Sequence, residues 1–133
     1  MYKDYCRTAT TVSLINYHFV FCPKYRRKIF DLPGVEERFK ALILEKSRSL
    51  GLEILAMECH RDHAHIFISG NPKYSPAQIK SQLKGYTSRI LRKEYPRLSK
   101  MPCLWTRSYY VGTAGNVSSE TIARYVETQK TRP

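Results

Sequence analysis

Acidic residues are scarce in this 133-residue chain: eleven Asp and Glu stand against twenty-three Lys and Arg, a formal charge of +12. That imbalance argues against a cationic partner and points to a polyanion, with nucleic acid first. Apolar residues never run long enough to span a bilayer. Neither a signal peptide nor a basic amphipathic helix is present, so a membrane role is set aside and a cytoplasmic location is expected. The four cysteines, Cys6, Cys22, Cys59 and Cys103, include no Cys-x-x-Cys pair. This leaves no basis for a zinc ribbon or a disulfide framework, and free, mostly buried thiols are expected. Repeats and low-complexity tracts are also missing, so residues 1–133 are read as a single domain with one core.

What the chain does have is clear periodicity. Aromatic and β-branched residues over 13–21 predict a strand ended by Pro23. Val35, Phe39, Leu42, Ile43 and Leu50 follow the helical period, and Gly51 supplies a stop. Residues 52–59 and the histidine-containing run after them predict a hairpin. Ser75, Pro76 and Gln78 form a helix start, with Ser as N-cap and Gln at the capping-box position. Ile79, Leu83, Tyr86 and Ile90 give that helix its buried stripe, and Tyr95-Pro96 closes it. Residues 104–111 predict a fourth strand. The order is β-α-β-β-α-β, an α+β ferredoxin-like core with an antiparallel four-stranded sheet and helices on one face. A further helix at about 119–130, capped by Ser118, follows the flexible Gly112 to Asn116 connector and lies outside that core.

The chemistry gathers first at His63-Ala64-His65. Alternate residues of a strand share a face, so His63, His65 and Phe67 point one way while Ala64, Ile66 and Ile68 enter the core. Two such imidazoles form a metal half-site; on this evidence alone they could equally be histidines of a solvated sheet face. On the C-terminal helix Tyr125 and Gln129 are neighbours at i and i+4. A Gln carbonyl is a reasonable third ligand, leaving room for a phosphate oxygen, and Tyr125 would sit one turn away. Tyrosine can form covalent intermediates. Its pKa of about 10 leaves about one phenol in a thousand ionised at pH 7, a cost of roughly 4 kcal/mol that a cation on the scissile phosphate would offset.

Rival assignments rank lower. A zinc cluster of Cys59, His60, His63 and His65 would place its ligands on opposed strand faces. Asp62, as the strand neighbour of His63, is expected to point away from it. Tyr109 and Tyr110 suit base stacking better than nucleophilic attack. Phosphate contacts are expected from the loop residues Lys24, Arg26 and Arg27 and from Lys80 and Lys84 on the second helix.

Asp62-His63-Ala64-His65, the run from Leu104 to Tyr110, Gly115-Asn116-Val117-Ser118 and the run from Arg124 to Lys130, together with Asn16 to Val20 and Pro23 to Arg27, resemble the single-tyrosine HUH transposases of small insertion sequences, the TnpA type. The resemblance covers nearly the whole chain. It implies a transposase that cuts and rejoins single-stranded DNA at element ends and recognises hairpins there. Tyr125 would match the nucleophile, which forms a 5′-phosphotyrosine. His63, His65 and Gln129 would match the ligands of Mg²⁺ or Mn²⁺. It also implies a homodimer whose active sites are shared between subunits. The competing reading is a non-catalytic or domesticated single-stranded DNA- or RNA-binding protein of ferredoxin-like fold.

Overall fold

The computed structural model describes residues 6–7, 12–13 and 15–113, with side chains from residue 15. β1 (Cys6–Arg7) and β2 (Val12–Ser13) pair antiparallel as a small ribbon. The main sheet contains β3 (Asn16–Phe21), β4 (Glu53–His60), β5 (His63–Ser69) and β6 (Tyr110–Thr113) in the order β4-β5-β3-β6, with all neighbours antiparallel. α1 (Val35–Ser49) connects β3 to β4 and α2 (Pro76–Glu94) connects β5 to β6, each passing over one intervening strand. This is the β-α-β-β-α-β architecture expected from the periodicity, with β3 and β5 central. No helix among the described residues is long and apolar enough to cross a membrane.

Local chemistry sets the boundaries. α2 begins with a complete capping box: Ser75 Oγ accepts from Gln78 N at 3.1 Å and Gln78 Oε1 accepts from Ser75 N at 2.8 Å. These satisfy two backbone donors that the first turn would otherwise leave without partners. After α1 the chain turns through Gly51 at φ +72°, the left-handed region glycine enters at least cost. Phe19, Phe21, Ala64, Ile66 and Ile68 fill one sheet face against Phe39, Leu42 and Ile43 of α1 and Ile79, Leu83 and Leu91 of α2, all fully buried. Each large side chain hidden this way contributes about 1.5–3 kcal/mol.

Two local differences from expectation have physical causes. The buried stripe of α2 runs through Thr87 and Leu91, while Tyr86 and Ile90 are half-buried. A threonine can occupy this core because its hydroxyl donates to Leu83 O at 2.8 Å and accepts from Trp105 Nε1 at 3.0 Å.

The fourth strand, expected over 104–111, is β6 and begins only at Tyr110. Val20 pairs with Tyr110, so an unbroken register would place Pro23 opposite Arg107; Pro23 instead bridges to Trp105. The pairing slips by two residues and the intervening segment bulges. Lys84 Nζ donates to Thr106 O at 2.7 Å and Ser108 O at 3.2 Å, taking carbonyls a ladder would have used.

Candidate active site

β5 alternates as read from the sequence: Ala64, Ile66 and Ile68 are in the core, and His63, His65 and Phe67 share the opposite face with His18 of β3. That face is not simply solvated, because His18, His65 and Phe67 are all buried. The His63 and His65 rings lie 5.1 Å apart and nearly perpendicular, at 76°. Such rings can direct lone pairs at one shared point.

His60 joins them, correcting the opposed-faces argument. The hairpin turn is the pair Arg61-Asp62, so His60 is registered directly against His63, and the ligand atoms of His60, His63 and His65 lie within 4.8 Å of one another. Cys59 does face the core, and burial pushes its thiol up to about 12. These histidines can hold a metal ion. His63 and His65 fit it best. The His60 ring stacks on His63 at 4.4 Å and 9°, and two near-parallel rings cannot both aim in-plane lone pairs at one cation until one turns.

The two central histidines are held from behind by different groups. Asp62 does not point away: its Oδ1 lies 2.9 Å from His63 Nδ1, and its Oδ2 lies 3.0 Å from an Arg26 guanidinium nitrogen. The His63 hydrogen bond and the Arg26 charge hold the Asp62 carboxyl below its usual range. His65 Nδ1 instead lies 2.8 Å from His18 Nε2. Burial is the main cause that lowers His18 and His65 to about 4, with the neighbouring histidines adding to the effect on His65. Both rings are therefore neutral at neutral pH, the form a metal ligand requires.

A cleft of about 570 Å³ opens beside the cluster, with Arg26, Lys28, Arg61, Asp31 and Asp62 among its lining. Arg61 is tied to Asp31 through its guanidinium at 2.8–3.1 Å. Lys24, Arg26 and Arg27 surround Tyr25, which is 75% exposed; Tyr25 and Arg26 are consecutive non-glycine residues at positive φ, 62° and 52°. Lys80 Nζ lies 4.9 Å from the Tyr109 ring centre. Lys84 differs from the other cations expected to face DNA, since its half-buried ammonium serves the Thr106 and Ser108 carbonyls and burial lowers it to about 8.

Of the two adjacent tyrosines, Tyr109 lies on the core side near Phe19, and Tyr110 stands on the histidine face with its ring edge-on to His18 at 5.4 Å. Tyr125, Gln129 and the helix expected at 119–130 lie outside the described residues. From the sequence, His60 stood only in the disfavoured cluster with Cys59, His63 and His65, and His18 carried no assigned role. A two-residue hairpin turn would have revealed His60, whereas His18 depends on the β3–β5 register.

Residues 11–129 match the family model described as "Transposase IS200 like". The chain is 29% identical over 118 residues to ISDra2 transposase TnpA of Deinococcus radiodurans, spanning 86% of this chain and 84% of that protein. It is 35% identical over 117 residues to the transposase for insertion sequence element IS200 of Salmonella typhimurium, spanning 85% of this chain and 75% of that one. A crystal structure from Deinococcus radiodurans R1 assigned to a transposase superposes with a TM-score of 0.74 at 27% identity, covering 92% of this chain and 96% of that one. A REP-associated tyrosine transposase bound to a REP hairpin shares the fold, with a TM-score of 0.61 at 12% identity over 85% of this chain and 62% of that one. With a sheet that sets paired histidines on one face and a family match from residue 11 to residue 129, the chain belongs to the IS200-like transposases.

Proposed function

We propose that this chain cleaves and rejoins single-stranded DNA at the ends of an insertion sequence, with Tyr125 as nucleophile. The observation that carries the reading is the convergence of His63 and His65 on one sheet face, each held at its Nδ1 by a neighbouring side chain. His63, His65 and Gln129 would hold Mg²⁺ or Mn²⁺. Such an ion supplies charge neutralisation at the scissile phosphate.

The chain's own groups do the rest. The Tyr125 oxygen attacks phosphorus, the bond to the 3′ oxygen breaks, and the net transfer of one proton leaves a 5′-phosphotyrosine and a 3′-OH. Attack of a 3′-OH on that linkage reseals the strand and restores the phenol. No nucleotide cofactor is needed, because the bond energy is kept in the aryl ester. Lys24, Arg26, Arg27 and Lys80 contact backbone phosphates. Lys84 could join them only by leaving its two carbonyls. Hairpins near the element ends are the expected targets, in line with the hairpin held by a structural neighbour of the same fold.

The working unit is a homodimer in which the Tyr125 segment of one subunit serves the histidines of the other. One experiment tests both assignments. Tyr125→Phe and His65→Ala subunits are co-expressed with different tags, purified as the mixed dimer and incubated with a labelled single-stranded end oligonucleotide and Mn²⁺. Neither mutant homodimer should form a covalent adduct, while the mixed dimer should carry adduct on its His65→Ala subunit. Adduct in the Tyr125→Phe homodimer would remove Tyr125 from its role. No adduct from a verified mixed dimer, with wild type active, would remove the sharing.

A further inference from the structure

The contact between His18 and His65 is a hydrogen bond between two imidazoles, His18 Nε2 to His65 Nδ1 at 2.8 Å, buried in the sheet face. Only one proton can lie between two ring nitrogens that close, so one ring donates and the other accepts. If His18 donates, His65 carries its own proton on Nε2, and that nitrogen has no lone pair for a cation. If His65 donates from Nδ1, its Nε2 lone pair is exposed to the cluster and His18 must carry its proton on Nδ1. The geometry permits both arrangements. Only the second gives a ligand.

We infer that His18 is a positioning residue for the metal site: it accepts the Nδ1 proton of His65 and so fixes His65 in the tautomer that ligates through Nε2. This rests on the metal-site reading of His63 and His65. Three observations support it. His18 sits in the cross-strand register that allows the contact, since Val20 pairs with His65 and His18 with the next residue on the same face, Phe67. The His18 ring is fixed in plane by stacking on Phe67 at 4.2 Å and 7°, and Tyr110 meets it edge-on. His18 is also only 7% exposed, so water does not readily take its place as acceptor.

A metal-bound histidine usually gives its second N–H to a carboxylate or a carbonyl. His63 follows that pattern with Asp62, whereas His65 uses a neutral ring. A neutral acceptor orients its partner without adding negative charge behind it. His18 should therefore contribute at the lower end of the tenfold to hundredfold range known for such supporting groups.

The test uses the full chain and two readouts. In the metal-free protein, long-range ¹H–¹⁵N NMR of the histidine rings should show His65 protonated at Nδ1, and His18→Leu should shift it toward an Nε2–H mixture. Mn²⁺ titration followed by EPR should show affinity about tenfold weaker in His18→Leu, with His18→Gln, whose side-chain oxygen can accept the same proton, recovering most of the loss. A merely structural role would not distinguish Gln from Leu in this way. Retained binding to a single-stranded end oligonucleotide shows that each variant is folded. If His65 is Nε2-protonated in the wild type, or if His18→Leu binds Mn²⁺ as tightly as wild type, the inference is overturned. If the wild type binds no Mn²⁺, the metal reading itself falls, a failure distinct from that of the tautomer, which is read without metal.

Discussion

The supports behind His63 and His65 share a purpose and differ in kind. Behind His63 stands an anion, Asp62, itself paired with Arg26 at the rim of a cleft. Behind His65 stands an uncharged ring packed between Phe67 and Tyr110 inside the sheet face. The first support can strengthen a ligand electronically and is open to solvent and salt. The second can only orient, but it is insulated. Two histidines separated by one residue are thus tuned by different physics, because alternation puts them on one face while the hairpin turn supplies what lies behind His63 and the neighbouring strand β3 what lies behind His65.

The largest expected effect separates the two supports. Asp62→Ala should weaken Mn²⁺ binding toward a hundredfold, more than His18→Leu, because it removes both the orienting acceptor and the negative charge. Mn²⁺ EPR titrations of the two variants side by side check this; equal losses would mean that the Asp62 charge adds nothing.

An intermediate effect is expected with pH in the metal-free protein. His18 and His65 sit at about 4 in the fold, against an ordinary value of 6.5. Between those values the unfolded chain takes up protons that the native chain refuses, so stability is full above about 6.5 and falls as pH drops toward 4. Thermal melts from pH 7.5 to 4.5 should show that decline, and it should be shallower in His18→Leu. An unchanged profile in that variant would mean that the decline has another source. Asp62, whose carboxyl is depressed, adds a loss in the same direction at lower pH.

The smallest effect is expected from Arg26→Gln. Its pair with Asp62 is largely solvent-exposed, and such pairs are worth about 0–1 kcal/mol, so Mn²⁺ affinity should fall by no more than about fivefold. A larger loss would show that the guanidinium, and not Asp62 alone, sets the orientation of His63.

The parts of the fold that rest on local periodicity were legible in the sequence. The helices of residues 35–49 and 76–94, the strand ending at Phe21 and the shared face of His63, His65 and Phe67 all follow from period and capping chemistry. What depends on register was not legible. His18 reaches His65 only because β3 lies beside β5 in one particular alignment, and His60 meets His63 only because the turn is two residues long. The late start of β6 was hidden for a related reason. Nothing near residues 104–109 indicates that an ammonium on α2 will take their carbonyls. Asp62 was misread because strand alternation was extended to a residue that belongs to the turn.

Gly112 lies one step along β6 from Tyr110 on the same face, and a Cβ placed there would come within 2.6 Å of the Tyr110 hydroxyl oxygen. The missing side chain is thus a reserved space in which the phenol lies flat along its own strand. Because Val20 pairs with both His65 and Tyr110, and His18 with both Phe67 and Gly112, that phenol is laid toward the Phe67 row and away from the His65 row. Any side chain at position 112 would lift the ring off the sheet and free its oxygen to swing. By occupying no volume, one glycine keeps the Tyr110 hydroxyl along the Phe67 row and away from the histidines that can hold a metal ion.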